Sequence, residues 1–351
     1  MPAPATVADV TCTVIPPFLL ERLAENAGPE LRGYALRTLE LDSTRRTNRS
    51  TGPAGPRPAP QEVREPQRTI FDAQHTTTLP GVVARREDEP PTGDAPVDES
   101  YRWLGASFDL FSQVYGRNSI DDAGMPLHAT VHYGQRYANA FWTGQRMVYG
   151  DGDGEVFGRF TKPIGITGHE LTHGVVQYTA GLAYRGQTGA LNESISDVFA
   201  SLVKQFTHGV TAADADWIIG EGIFQPQIDG VGLRSLRAPG TAYDDPLIGT
   251  DPQPSTMDGY VETDRDNGGV HINSGIPNHA FYLTAVAIGG YAWERAGKVW
   301  YETLTGGTLP SGADFATFAR ATATTSERLY GTSSEEAAAV RHGWVEVGIE
   351  P

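Results

Sequence analysis

Two histidines four residues apart, His169 and His173, enclose a glutamate in the run Gly168-His169-Glu170-Leu171-Thr172-His173. On a helix, positions four apart share a face, so both imidazoles can reach one zinc ion at ~2.0–2.1 Å. Glu170 stands beside the first imidazole, where a carboxylate can take a proton from a water activated by the metal. Histidines at this spacing also occur as unrelated surface or core residues, so the run needs a third ligand to carry meaning. Catalytic zinc takes three protein ligands and leaves one position open. A continuation ending in a third histidine would need glycine at 176 and histidine at 179. Val176 and Thr179 stand there, which excludes that arrangement.

Carboxylates are offered instead by Gly189-Ala190-Leu191-Asn192-Glu193-Ser194-Ile195-Ser196-Asp197. Glu193 and Asp197 are one helical turn apart, which suits a third ligand and a group that orients a histidine ring. Asn192, next to Glu193, is a further candidate for that orienting role. The plain alternative is a solvated acidic face. Leu191, Ile195, Val198 and Phe199 make a wholly exposed helix a poor fit, and buried carboxylates require partners.

These segments need helices to hold them. Apolar periodicity predicts helices over residues 164–179, 194–206, 278–288, 299–304 and 335–347, with one earlier helix-like stretch over 101–115. Residues 129–133 and 146–149 read as strands. The expected class is α+β, with a β-rich lobe over 69–180 ending in the zinc helix and an α-helical lobe over 181–351. Ahead of them, residues 15–41 show two amphipathic patterns, Phe18, Leu19, Leu20 and Leu23 and then Leu31, Ala35 and Leu39, within an N-terminal module of residues 1–41. Residues 42–68 carry Arg45, Arg46 and prolines at 53, 56, 58, 60 and 66, the composition of a solvated linker prone to nicking.

At this point the chain resembles the thermolysin family, whose zinc ligands are His, His and Glu. The resemblance rests on several segments in that family's order. They are Asn139-Ala140-Phe141-Trp142, Met147-Val148-Tyr149-Gly150-Asp151-Gly152-Asp153-Gly154, both zinc segments, and Asp266-Asn267-Gly268-Gly269-Val270-His271-Ile272-Asn273-Ser274-Gly275. It implies a two-lobed peptidase with zinc in the cleft, acting as a neutral endopeptidase on internal bonds of peptide or protein substrates. It also implies that His271 and Tyr184 donate to the oxyanion while Asp266 holds the His271 ring. Arg234, Asn139 and Ala140 would align the substrate backbone, and Phe157, Phe160, Ile166 and Leu233 would line an apolar pocket for the P1′ side chain.

The chain also departs from that family. Where thermolysin gathers carboxylates around paired calcium ions, this sequence has Gly165, Lys204 and Ile218, leaving Asp216 and Glu221 acidic. A lysine ammonium paired with either would replace one calcium charge, so the double calcium site is expected to be lost. Ile15-Pro16-Pro17-Phe18-Leu19-Leu20 resembles the short propeptide of the protealysin branch, which implies an intramolecular inhibitor with Pro16, Pro17, Phe18 and Leu19 at the cleft. Cys12, the one cysteine, offers an alternative inhibitor as a thiolate zinc ligand, against the plainer reading of a small buried hydrophobe.

Composition bounds the partners. With 43 acidic against 27 basic residues the net charge is −16, which repels nucleic-acid backbones and anionic lipid. No run approaches the ~20 apolar residues of a membrane span. The N-terminus lacks a basic and apolar leader pattern, so a cytoplasmic location or a non-classical export route is expected, although the wider family is typically secreted. Two rival readings stand beside an endopeptidase, a catalytically silent zinc fold and an aminopeptidase. Retention of Glu170, Tyr184 and His271 together argues against the first, and no carboxylate cluster near Asn139 holds a substrate amine for the second.

Overall fold

The computed structural model describes residues 13–49 and 65–351. Cys12 lies outside the described residues, as does the proline-rich middle of the segment read as a linker.

Helix α1 (Pro17–Asn26) opens with proline in its first turn, where the missing N–H has no helical partner to lose. It buries Leu19, Leu20, Leu23 and Ala24, and each leucine contributes ~1.5–3 kcal/mol by leaving water. Helix α2 (Pro29–Arg49) passes the point where the linker was expected to begin. Residues 42–49 contain neither glycine nor proline, and Asp42 is buried, with its carboxylate accepting from the Asn139 amide at 2.9 Å and from the Tyr137 hydroxyl. The helix therefore has both continuity and a tertiary anchor at this point.

The first lobe is built on a five-stranded mixed sheet in the order β2-β1-β3-β5-β4. The strands are β1 (Arg68–Asp72), β2 (Val82–Arg86), β3 (Leu127–Val131), β4 (Ala140–Trp142) and β5 (Arg146–Tyr149). Strand β3 begins two residues before the predicted run, whereas β5 matches its prediction. Strands β1, β3 and β5 are mutually parallel, with β2 and β4 antiparallel at the two edges. Helix α3 (Ala95–Asp109) covers one face and continues as a π-turn over Leu110–Val114. It starts earlier than predicted because Asp94 caps it, accepting from the Val97 N–H.

Helices α4 (Ile164–Gln177) and α5 (Gly186–His208) run between the lobes. Beyond them come two short strand pairs, β6 (Ile218–Ile219) with β7 (Arg234–Ser235) and β8 (Asp244–Asp245) with β9 (Gly249–Thr250). The second lobe is completed by α6 (Asp266–Asn273), α7 (Gly275–Ile288), α8 (Ala296–Thr305), α9 (Phe315–Tyr330) and α10 (Glu335–Glu346). Its core stacks Trp300 on Trp344, whose indole N–H donates to the Thr322 hydroxyl of α9 at 2.8 Å.

Candidate active site

Helices α4 and α5 approach so closely that a Cβ on Gly168 would sit 3.0 Å from the Ala200 Cα, so α4 needs a glycine next to its first histidine. Nearly every side chain of α4 is buried. His169 Nε2 and His173 Nε2 lie 3.0 Å apart, and the Glu193 carboxylate is 3.4 Å from the first and 3.5 Å from the second. Donors around a tetrahedral zinc at ~2.0–2.1 Å are about 3.3 Å from one another. Two imidazoles and a carboxylate at these separations fit zinc in both chemistry and spacing.

The other ring nitrogens are fixed from behind. His169 Nδ1 meets Asp197 Oδ1 at 2.8 Å, and His173 Nδ1 meets Asn192 Oδ1 at 2.8 Å with Ser196 Oγ at 3.1 Å. Such partners settle the tautomer and point each Nε2 at a metal. Burial holds His173 down to about 4, keeping its lone pair available. Burial alone would raise the Asp197 carboxyl, but Arg234 and His169 outweigh it and bring it to about 2. Arg234 donates twice to Asp197, at 2.7 and 2.8 Å, and Asn278 donates at 2.9 Å.

Glu170 is fully buried, and burial raises its carboxyl to about 8. One oxygen accepts from the Trp142 N–H at 2.9 Å, and the other has no hydrogen-bond partner among the described residues. A carboxyl tuned near neutrality with one oxygen in reserve suits proton transfer in both directions. Facing it, Tyr184 donates to Glu193, and its oxygen lies 3.2 Å from His271 Nε2. His271 is oriented by Asp266, whose carboxylate takes the ring Nδ1 at 2.6 Å and the backbone N–H at 2.9 Å. Burial lowers the His271 pKa less than Asp266 and Glu193 raise it, so the net shift is upward. The left-handed turn through Asp266, Asn267, Gly268 and Gly269 makes this double contact possible, which explains the paired glycines.

The cleft already carries a backbone. Val14 donates its N–H to the Ala140 carbonyl on the edge strand β4 at 3.1 Å, and Arg234 donates to the Val14 carbonyl at 3.3 Å. Asn139 brackets Ile15, accepting from its N–H at 2.9 Å and donating to its carbonyl at 3.2 Å. Val14 and Ile15 are completely buried. The residues expected at the cleft were instead Pro16, Pro17, Phe18 and Leu19. Pro17 does border a cavity of about 240 Å³ beside Tyr184 and His271. Phe18, however, lines an adjoining cavity with Tyr243 and Val261, which shares only Pro17 and Asp266 with the first, and Leu19 is packed into the core. The physical reason is that helix α1 starts at Pro17, so the extended backbone needed to pair with β4 ends just before it.

Phe157, Phe160, Ile166 and Leu233 are all buried apolar side chains of the main core. Ile219 belongs beside them, since β6 pairs it with Arg234 and Gly220 abuts Leu233. Lys204 donates to both Asp216 and Glu221, so an ammonium bridges the two remaining carboxylates. Sequence reasoning missed Ser196, Asn278, Ile219, Val14 and the Trp142 N–H. Ser196 alone was within reach, being one helical turn from Asn192.

The family model described as the thermolysin metallopeptidase catalytic domain matches residues 61–177, and that of its alpha-helical domain matches residues 180–349. An extracellular metalloprotease of Pectobacterium carotovorum subsp. carotovorum is 49% identical over 97% of this chain and 96% of its own length. Thermolysin of Alicyclobacillus acidocaldarius is 38% identical over 80% of this chain and 50% of its own length. The solved precursor of protealysin, a metalloproteinase from Serratia proteamaculans, superposes with a TM-score of 0.88 at 51% identity, covering 96% of this chain and 99% of that one. No helix among the described residues is long and apolar enough to cross a membrane. With both of its lobes matched in sequence and in fold, the chain belongs to the thermolysin family of metalloendopeptidases, in the protealysin-like branch.

Proposed function

We propose that this chain is a zinc-dependent neutral endopeptidase that prefers apolar P1′ residues and is made as a self-inhibited precursor. The observation that carries the reading is the extended backbone at Val14 and Ile15, hydrogen-bonded to Ala140, Asn139 and Arg234. A substrate strand would use the same edge and the same arginine. His169, His173 and Glu193 would hold zinc, which when bound would supply Lewis acidity and lower the pKa of water. Glu170 takes the proton as the water oxygen bonds to the carbonyl carbon, then returns it to the leaving amine as the C–N bond breaks. His271, oriented by Asp266, and Tyr184 donate to the developing oxyanion. Phe157, Phe160, Ile166 and Leu233, all apolar and buried, would line the P1′ pocket and are consistent with that preference.

Casein digestion tests the reading directly. Protein trimmed in the segment between Arg49 and Arg68 is expected to digest casein, lose activity to a zinc chelator and regain it with zinc. Full-length protein, verified uncut by mass, is expected to be at least tenfold slower. Chelator-resistant activity, or equal rates for the two forms, overturns the proposal.

Two further outcomes follow from the surroundings of the metal ligands. Asp197→Ala removes the acceptor behind His169, and zinc affinity is expected to fall ~10–100-fold, read by competition with a chromogenic chelator. The second concerns calcium, because Lys204 bridges Asp216 and Glu221 where a calcium pair would need anionic oxygens. A calcium site filled at a thousand times its Kd would add ~4 kcal/mol of stability and raise Tm by several degrees. Calcium-selective chelation with zinc retained is therefore expected to leave Tm within about 2 °C. A collapse of Tm would show the double site to be present.

A further inference from the structure

We propose that His75, His132 and Asp151 form a second metal site, for a divalent transition ion of the zinc, cobalt or nickel class, at the rim of the sheet lobe. The three residues follow the carboxyl ends of three adjacent parallel strands, β1, β3 and β5, so the sheet itself brings them together. One donor atom from each lies within 4.8 Å of the other two. Asp151 Oδ2 is 3.0 Å from His132 Nδ1 and 3.4 Å from His75 Nδ1, close to the ~3.3 Å edge of a tetrahedral zinc site. The rings stand edge to face with centroids 5.4 Å apart. Two imidazoles with one carboxylate select borderline transition metals over calcium or magnesium, which call for all-oxygen sets.

A second observation comes from the far side of the His132 ring. Its Nε2 meets the Asp94 carboxylate at 3.1 Å, the arrangement that fixes a ligating imidazole with Nδ1 toward a metal. Both histidines sit in the left-handed region, with φ of 58° and 51°, and the His75 N–H donates to the His132 carbonyl at 2.9 Å. The two loops are thereby joined before any ion arrives. The nearby cation Arg159 is occupied by Glu99, at 2.5 and 2.8 Å, and does not compete for Asp151 as a hydrogen-bond donor. The same geometry accommodates a protonated His132 lying between Asp94 and Asp151, so proton and metal are alternative occupants. At 59% exposure the His75 side chain opens the site to solvent, which leaves coordination positions for water and makes it weaker than the buried one.

The test uses the full chain carrying Glu170→Gln, which prevents self-digestion and keeps all ligands of the catalytic ion. Zinc is titrated by calorimetry at micromolar free metal, and bound metal is counted after gel filtration. Two equivalents are expected for this parent and one for the same chain with His75→Ala or His132→Gln added. Asp94→Asn should keep two equivalents, with the second ~10–100-fold weaker. The retained catalytic equivalent reports that each variant is folded. Should His132→Gln lose both, His75→Ala at its exposed position still decides the matter. One equivalent in the parent, or two in the folded His75→Ala chain, overturns the proposal.

Discussion

Replacing Glu170 with glutamine is expected to leave zinc content unchanged and to lower kcat in the trimmed protein by ~10²–10⁴-fold, about 3 kcal/mol or more of transition-state stabilisation. The amide matches the carboxylate in shape and can still accept the Trp142 N–H, seen here at 2.9 Å, so the pocket has no cause to rearrange. What disappears is a group able to hold a proton near neutral pH, a property that burial confers on this side chain by raising its carboxyl to about 8. Glu193→Ala makes the contrast, because that carboxylate lies 3.4 and 3.5 Å from the two histidine Nε2 atoms and its loss should appear first as lost zinc. Metal analysis alongside single-turnover peptide cleavage separates the two. Near-native turnover by zinc-loaded Glu170→Gln would remove this residue from the proton path.

Charging the cleft strand should have the second largest effect. Val14→Asp together with Ile15→Asp in the uncut chain is expected to raise peptidase activity by about a hundredfold. Each side chain is wholly buried, and a buried Val or Ile contributes ~1.5–3 kcal/mol, so the pair holds the segment down by enough to account for that factor. Phe18→Asp is expected to do much less, since Phe18 lines the cavity with Tyr243 and Val261 rather than the cleft strand. Leu19→Asp would disturb the packing of α1 as a whole and is the less informative variant. Cys12→Ser in the same assay addresses thiolate ligation, because it should activate the uncut chain only if that sulfur holds the metal. Mass-verified uncut double variant with no gain in activity would show that the segment serves some purpose other than blocking.

What could be read in advance follows from the range of the interactions. Helices α4 and α5 declared themselves because ligand spacing and apolar period coincide within single segments, and the metal ligands lie within 24 residues of one another. Helix α9 buries Phe315, Phe318, Ala319, Thr322 and Ala323 at helical spacing, so its stripe was legible in principle although small alanine and threonine side chains carry much of it. Strands β6 to β9 are two residues long, too short to show any alternation. Asn278 reaches Asp197 across 81 residues, and Val14 reaches Arg234 across 220, so neither contact leaves a local mark. The double pairing of β3 with β1 and β5 is likewise a property of the assembled sheet, and with it the meeting of His75, His132 and Asp151. Asp42 looked like the first residue of a solvated linker by composition, yet its carboxylate is held by Asn139 and Tyr137 nearly a hundred positions away.

That anchoring of Asp42 shapes what a cut in the linker achieves. The N-terminal segment is tied at two ends, through Val14 and Ile15 in the cleft and through Asp42 near the end of α2, and the partners of both ties, Ala140, Asn139, Arg234 and Tyr137, lie in the two lobes. A cut between Arg49 and Arg68 therefore leaves both of these ties in place. If the segment is the inhibitor proposed above, the cut changes the concentration at which it is presented, from the ~millimolar local value set by a short tether to that of the bulk solution. Activation then becomes a dissociation equilibrium, complete where the enzyme is dilute and stalled where it is stored densely, and irreversible once the freed helices are themselves digested.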